Sequence, residues 1–373
     1  MRELPRGTIK HRPEDFLVEE IPAYEPSGEG PHLYVHFKKT NVTTDDVVRA
    51  FARALRVERK DIGVAGLKDK VGVTTQWISI PAEDRTIDER IAAVDGTIEG
   101  VEILDRRRHG NKLKTGHLKG NRFTLVIRDI DPARLDEVAR TLERIRTLGV
   151  PNAFGVQRFG KYGDTHEQAR KWLTGKDRAP SDPRLRRFHF SAFQSAIFNA
   201  VLEHRVEKGL WTVPILGDLL KKEETGGIFV CTDVQLDRER AEQGELCPTG
   251  PIVGDRMRQP EAEAFELEQR IVVPLIEGID LRRARSLGEG TRRPLRLRLS
   301  ELSHESIASS LDEATSSDSP HGGCAMRVRF VLPKGAYATT VLSNAFTISE
   351  AGRPDRELSD REHREPQPPP EEE

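Results

Sequence analysis

Strand-forming runs sit near both ends of this chain, and a middle of different character separates them. Leu33-Tyr34-Val35-His36-Phe37, Val73 to Ile80 and Arg122 to Arg128 are rich in β-branched and aromatic residues. Strand character returns only in Ala325 to Leu332 and Ala338 to Leu342. From about Val150 to about Gly290 the sequence is punctuated by Gly and Pro, and its clearest helix is Ser191 to Glu207. A chain of 373 residues can hold two domains, or one domain with a large insertion. The pattern therefore predicts a discontinuous α+β domain, residues 1–149 with 291–350, interrupted by a separate unit over 150–290. Residues 351–373, acidic and Pro-rich, are expected to be a disordered tail, and Ser300 to Gly323 a flexible loop.

Local signals place the helices of the first part. Thr43 or Thr44 can cap a helix, with Asp45 and Asp46 at the positive end of its dipole. Val47, Val48, Phe51, Ala54 and Leu55 follow at helical spacing. Asp131-Pro132 opens a second helix carrying Leu135, Val138, Leu142 and Ile145. Gly63 to Gly72 is expected to be a loop.

Composition removes several classes of function. No stretch approaches the roughly 20 apolar residues of a membrane helix. Met1 to Lys10 lacks the apolar core of a signal peptide, so the cytoplasm is the expected compartment. Three cysteines, Cys231, Cys247 and Cys324, form no CxxC pair, which argues against disulfides and thiolate zinc. The histidines show no HExxH, and no metal site is expected. The formal net charge of −2 gives no global nucleic-acid signal. Cations are nevertheless clustered: Arg106, Arg107, Arg108, Lys112, Lys114, Lys119 and Arg122 in one tract, and Arg282, Arg283, Arg285, Arg292, Arg293, Arg296 and Arg298 in another. Such tracts can form a local phosphate-binding face or be solvated charged loops, and charge alone does not decide.

Gly155-Val156-Gln157-Arg158-Phe159-Gly160-Lys161 has the spacing of a phosphate-binding loop. Tyr162 follows where Ser or Thr is needed, and Phe159 is too bulky for backbone amides to close on phosphates. Nucleoside triphosphate chemistry is not expected. In Ala65-Gly66-Leu67-Lys68-Asp69-Lys70, one carboxylate lies between two ammonium groups just before a strand. Neighbouring cations favour the ionised acid, the form needed for a nucleophile or for stabilising a cationic sugar. Alone, such a turn is more often a solvated surface feature.

The surroundings of that turn resemble the TruD family of tRNA pseudouridine synthases. Ile9-Lys10 with Arg12 to Glu20 is similar to the family's opening, and Ala65 to Lys70 with Val73-Thr74 and Gln76-Trp77 to its catalytic loop and following strand. Leu118 to Phe123 resembles its Gly-Asn-x-Phe signature, Val150 to Gly160 the motif entering its inserted domain, and Leu332 to Thr339 its C-terminal motif. The motifs occur in the family's order and span most of the chain.

The resemblance implies an α+β pseudouridine synthase-type catalytic domain with a mainly antiparallel mixed sheet, interrupted by an inserted α/β domain. It implies isomerisation of uridine in tRNA, at position 13, without a cofactor, by a monomer. Asp69 matches the catalytic aspartate, and Lys10 and Lys68 match basic substrate-binding residues lining the pocket, placed to hold phosphate or the carboxylate. Asn121 and Phe123 match the pair that reads and stacks on the target uracil. Tyr337 stands where bacterial members commonly carry Phe, and Ala153 where an aromatic is frequent. Read without the resemblance, Phe123 fits a strand core, Asn121 a turn, and Tyr337 a packed ring. The alternatives are an RNA-binding or RNA-chaperone protein with an inactive pocket, and a hydrolase that frees uracil with the same carboxylate.

Overall fold

The computed structural model describes residues 3–82, 86–160, 162–307 and 324–351, and the chain divides into two compact units. The first is Met1–Ala139, Glu301–Lys334 and Ala345–Glu373; the second is Arg140–Ser300 with Gly335–Asn344. The interrupting unit thus begins at Arg140 and ends at Ser300, outside the expected 150 and 290, and it takes back ten residues near the C-terminus. The expected tail lies outside the described residues apart from Ala351.

In chain order, the first unit contributes β1 (Arg6–Ile9), β2 (Phe16–Pro22), β3 (His32–Thr40), α1 (Thr44–Leu55) and β4 (Gly63–Val64). It continues with β5 (Val73–Pro81), α2 (Ile87–Val94), β6 (Val101–His109) and β7 (Leu118–Ile130), and α3 (Leu135–Leu148) crosses the boundary. The second unit contributes β8 (Val150–Pro151), α4 (Thr165–Leu173), α5 (Pro183–Glu207), β9 (Leu219–Lys222) and β10 (Ile228–Val230). It continues with α6 (Val234–Glu242), β11 (Leu246–Ile252), α7 (Ala262–Ile276), β12 (Thr291–Pro294) and β13 (Arg296–Leu297). The chain then returns through β14 (Ser300–Ile307) and β15 (Cys324–Pro333), gives α8 (Ala338–Leu342) to the second unit, and ends its described part with β16 (Thr347–Glu350).

The first unit is one ten-stranded mixed sheet in the order β14-β15-β7-β2-β5-β3-β6, with β1, β16 and β4 attached at its sides. Only β2–β5 and β1–β16 are parallel among the registered pairs. Period-two alternation sets its faces. Leu33, Val35 and Phe37 of β3 are buried against Val47, Phe51 and Leu55 of α1 and Ile87 and Ile91 of α2. Helix α1 starts where expected: Thr43 Oγ1 accepts from Asp46 N at 3.0 Å, and Arg56 ends the helix in the left-handed region, φ 54°.

In the second unit α5 runs 25 residues, starting earlier than the apolar pattern alone indicates. Asp182 caps it, its Oδ1 accepting from Arg184 N at 2.8 Å, and Pro183 occupies the first turn. Phe190, Phe193, Ile197 and Val201 pack on Ala169 of α4 and Val272 of α7. The sheet β10-β9-β11-β12 is antiparallel throughout.

Two local expectations are corrected. Ala338 to Leu342 is a helix, not a strand: its β-branched Thr339-Thr340-Val341 mimics a strand, but Thr340 N and Ser343 N turn back to Tyr337 O and Thr339 O. Ser300 to Ile307, expected to be loop, is edge strand β14, whose polar residues reflect its position at the sheet margin. Residues 308–323 lie outside the described residues.

Candidate active site

Strand register carries one face of the first sheet across four strands. Asn121 and Phe123 of β7 lie opposite Glu20 and Val18 of β2, and Val18 is in register with Thr74 of β5. On the far side, Gln76 and Thr74 lie opposite Phe37 and Lys39 of β3. Directly paired residues project to the same face. Glu20, Lys39, Thr74 and Gln76 are therefore polar groups sharing a face with Val18, Phe37 and Phe123, and each is buried.

These groups anchor the loop between β4 and β5. The Lys39 ammonium, wholly buried, donates to the backbone carbonyls of Asp69, at 2.5 Å, and Val42, at 2.9 Å. Burial pushes its pKa down to about 8; the Asp69 carboxylate opposes the shift and the Lys68 charge adds to it. Lys68 N donates to Thr44 Oγ1 at 3.1 Å, and that hydroxyl donates to Gln76 Oε1 at 3.0 Å. The Lys68 ammonium pairs with Glu20, whose other oxygen accepts from Trp77 N at 3.2 Å. At the loop's start Gly116 N donates to Ala65 O at 2.8 Å; at its end Gly72 N donates to Asn41 Oδ1 at 3.2 Å. Gly72 has φ 120°, and a Cβ there would meet Phe16 O at 2.5 Å, so glycine is required. Asp69 itself is exposed, presented from a loop held at both ends and in its middle.

Of the residues singled out in the sequence, Asp69, Lys68, Lys10, Asn121 and Phe123 belong to this unit. Lys68 does not face open solvent: its side chain is 5% exposed and its charge is answered by Glu20. Lys10, at φ 61°, pairs with Glu350 at 2.8 Å and stands 4.6 Å over the Phe16 ring. Phe16 meets Phe123 edge to face with centroids 6.4 Å apart, and Phe123 stacks on Phe330 at 5.5 Å. The Phe123 ring is thus packed between two others and buried. Asn121 Oδ1 is buried and has no hydrogen-bond partner among the described residues. Such an atom costs free energy until something donates to it, and the NH of a nucleobase can do so. Tyr337 belongs to the second unit, where it precedes α8 and is 49% exposed.

Three of the seven cations of the first basic tract are paired with carboxylates. Arg107 pairs with Asp105 at 2.8 Å, Arg108 with Asp88 at 2.6 Å, and Arg122 with Glu301 and Glu19 at 3.0 and 3.1 Å. Its exposed lysines Lys114 and Lys119 have no carboxylate partner among the described residues. Within the stretch that has the spacing of a phosphate-binding loop, Val156–Phe159 is a short 3-10 turn, and Lys161 lies outside the described residues.

Lys39 lies in none of the motifs, and Glu20 closes the opening one without an assigned role, yet alternation marks both. Phe16, Val18 and Glu20 share a face, as do Leu33, Val35, Phe37 and Lys39, so each strand carries a charge inward.

The chain is similar to known proteins over nearly its whole length. A family model described as tRNA pseudouridine synthase D (TruD) matches residues 5–179 and 179–345. A tRNA pseudouridine synthase D from Anaeromyxobacter sp. strain Fw109-5 is 42% identical over 350 residues, covering 91% of this chain and 93% of that protein. One from Thermus thermophilus is 37% identical over 342 residues, covering 92% and 89%. A crystal structure of a protein described as the putative tRNA pseudouridine synthase D from Methanosarcina mazei shares the fold, with a TM-score of 0.74, 24% identity, and coverage of 91% of this chain and 93% of that one. By the extent of these matches the chain belongs to the tRNA pseudouridine synthase D (TruD) family.

Proposed function

We propose that Asp69 is the carboxylate with which this tRNA pseudouridine synthase isomerises uridine to pseudouridine, and that its target is the uridine at tRNA position 13. One observation carries the assignment of Asp69: its loop is tied through Lys39, Lys68 and Thr44 to the sheet face that carries Asn121 and Phe123. A carboxylate on a restrained loop keeps its position relative to the sugar, which is worth more than a charge on a free turn.

The reaction breaks the N-glycosidic bond, turns the uracil and joins C5 to the sugar, and it is redox-neutral. The uridine leaves its stack to reach Asp69. Asp69 either attacks the sugar or promotes its deprotonation. The unsatisfied Asn121 Oδ1 accepts a hydrogen bond from the uracil, and the packed Phe123 ring supports that amide from two positions along β7. Lys10 and Lys68 bind no phosphate in this reading; they hold Glu350 and Glu20 and so shape the site. The first unit is the catalytic domain, and the second, bearing Tyr337, engages RNA. The enzyme acts as a cytoplasmic monomer. Among the described residues no helix is long and apolar enough to cross a membrane.

Single-turnover release of tritium from C5-labelled uridine in a tRNA transcript tests the reading. The wild type should release tritium while the RNA retains its mass, and a transcript with cytidine at position 13 should release none. Asp69→Asn should bind the transcript and release nothing. Release at the wild-type rate by that variant would remove Asp69 from the mechanism. Free uracil would indicate a hydrolase, and binding without release by the wild type an RNA-binding protein.

A further inference from the structure

Buried arginines in the second unit fall into two kinds. Arg205 pairs with Asp218, Arg292 with Glu268, and Arg296 with Glu223 at 3.8 Å, so each fully buried guanidinium has a carboxylate. Arg158 and Arg293 are also withdrawn from solvent, but neither has a carboxylate partner among the described residues. Neutral groups orient them instead. Arg158 donates to Ser195 Oγ at 3.1 Å and to Ser191 Oγ; Arg293 donates to Asn152 Oδ1 at 2.6 Å and to the Asn152 carbonyl at 3.3 Å. Asn152 is itself fixed, its amide donating to Pro294 O at 2.9 Å.

Both guanidiniums gather round one ring. Arg293 Cζ is 4.1 Å and Arg158 Cζ 5.6 Å from the centroid of Phe154. Both line one open cavity of about 320 Å³ with Phe154, Gln194 and Thr291. Burial lowers the pKa of each, that of Arg293 to about 10, and the Arg158 charge adds to the shift in Arg293. Two desolvated like charges without a counter-ion are costly, whereas planar guanidinium forks match the oxygens of a phosphate.

We propose that Arg158 and Arg293 form a phosphate clamp in the second unit that grips a single backbone phosphodiester of the RNA substrate. This rests on the reading of the substrate as tRNA and extends it to a site outside the catalytic unit. It also gives the Gln157-Arg158-Phe159 turn a role that its resemblance to a nucleotide-binding loop obscures. The second basic cluster of the sequence then contributes through Arg293. Arg282 and Arg283 are committed to Asp280, and Arg285 to Asp255.

The test is equilibrium binding of a fluorescent tRNA transcript over a salt series, in the Asp69→Asn background so that turnover plays no part. Arg158→Gln and Arg293→Gln should each weaken binding about tenfold near physiological salt and lower the slope of log K against log salt by about one. The double variant should lower the slope by no more than about one, because a single phosphate is lost. Unchanged affinity and slope in both single variants would overturn the clamp. So would a loss of affinity at unchanged slope, the mark of a folding defect, or a double-variant slope lowered by about two, the mark of two separate phosphates. Wild-type tritium release beside unaffected arginine variants would leave the catalytic reading intact and remove only the clamp. Failure of the parent Asp69→Asn protein to bind the transcript would remove the tRNA reading and the clamp with it.

Discussion

Lys68 gives its ammonium group to Glu20 in a nearly dry environment, the two side chains being 5% and 1% exposed. The pair joins the Asp69 loop to strand β2 at the position opposite Asn121. Removing one partner strands the other charge, so Glu20→Gln should destabilise the fold by about 3–5 kcal/mol, read by urea denaturation. Tritium release should also fall more than tenfold. Glu20→Leu with Lys68→Met should recover most of the stability while activity stays low; losses that simply add would show that the two groups are not coupled.

Lys39 makes stability depend on pH. Its pKa is depressed from 10.5 to about 8 by burial, so between those values the unfolded chain binds more protons at this position than the folded one. Stability contributed by this group therefore rises with pH across that window, and the penalty is fully present below it. Subtracting the unfolding free energy of Lys39→Met from that of the wild type should give a difference that increases between about pH 8 and about pH 10. A flat difference would mean that Lys39 keeps its ordinary pKa in the fold.

Asn121 and Phe123 should separate cleanly. Asn121→Ala discards an amide whose oxygen has no partner among the described residues, so its melting temperature should stay within a few degrees of wild type while kcat/KM falls about a hundredfold. Phe123→Ala empties a space between Phe16 and Phe330 and should cost about 3–5 kcal/mol of stability. A stable Phe123→Ala protein that fails only in turnover would instead make the ring a direct platform for the base.

Tyr337 is half exposed, so its substitution should leave stability nearly unchanged. Tyr337→Phe should retain tRNA binding, whereas Tyr337→Ala should weaken it several-fold, as expected of a ring that contributes its face rather than its hydroxyl. Equal losses in the two variants would assign the effect to the hydroxyl.

The legible parts of this protein are local. Thr43 with Asp45 and Asp46 announces α1, and β-branched and aromatic content announces β3, β5, β7 and β15 within a few residues. Alternation along β2 and β3 points Glu20 and Lys39 inward, a signal carried by the sequence itself. What sequence does not supply is pairing across distance. Nothing near Lys10 indicates Glu350, and nothing near Arg122 indicates Glu301. Segments with mixed signals mislead: Ala338 to Leu342 has strand-like residues in a single helical turn, and Ser300 to Ile307 has loop-like residues in an edge strand. The net charge of each basic tract is likewise invisible in sequence, because it depends on which carboxylates fold back onto it.

Strand β7, which carries Asn121 and Phe123, is flanked by β2 on one side and by β15 on the other. Its two neighbours lie at opposite ends of the chain, with nearly the whole interrupting unit between β7 and β15 in sequence. A nascent chain therefore synthesises the Asp69 loop early but cannot seat Phe123 against Phe330 until Cys324–Pro333 has emerged. Completion of the sheet around Asn121 and Phe123 therefore waits until the residues between β7 and β15 have been synthesised, and fragments that stop short of β15 should accumulate as sheets with an open edge, prone to associate.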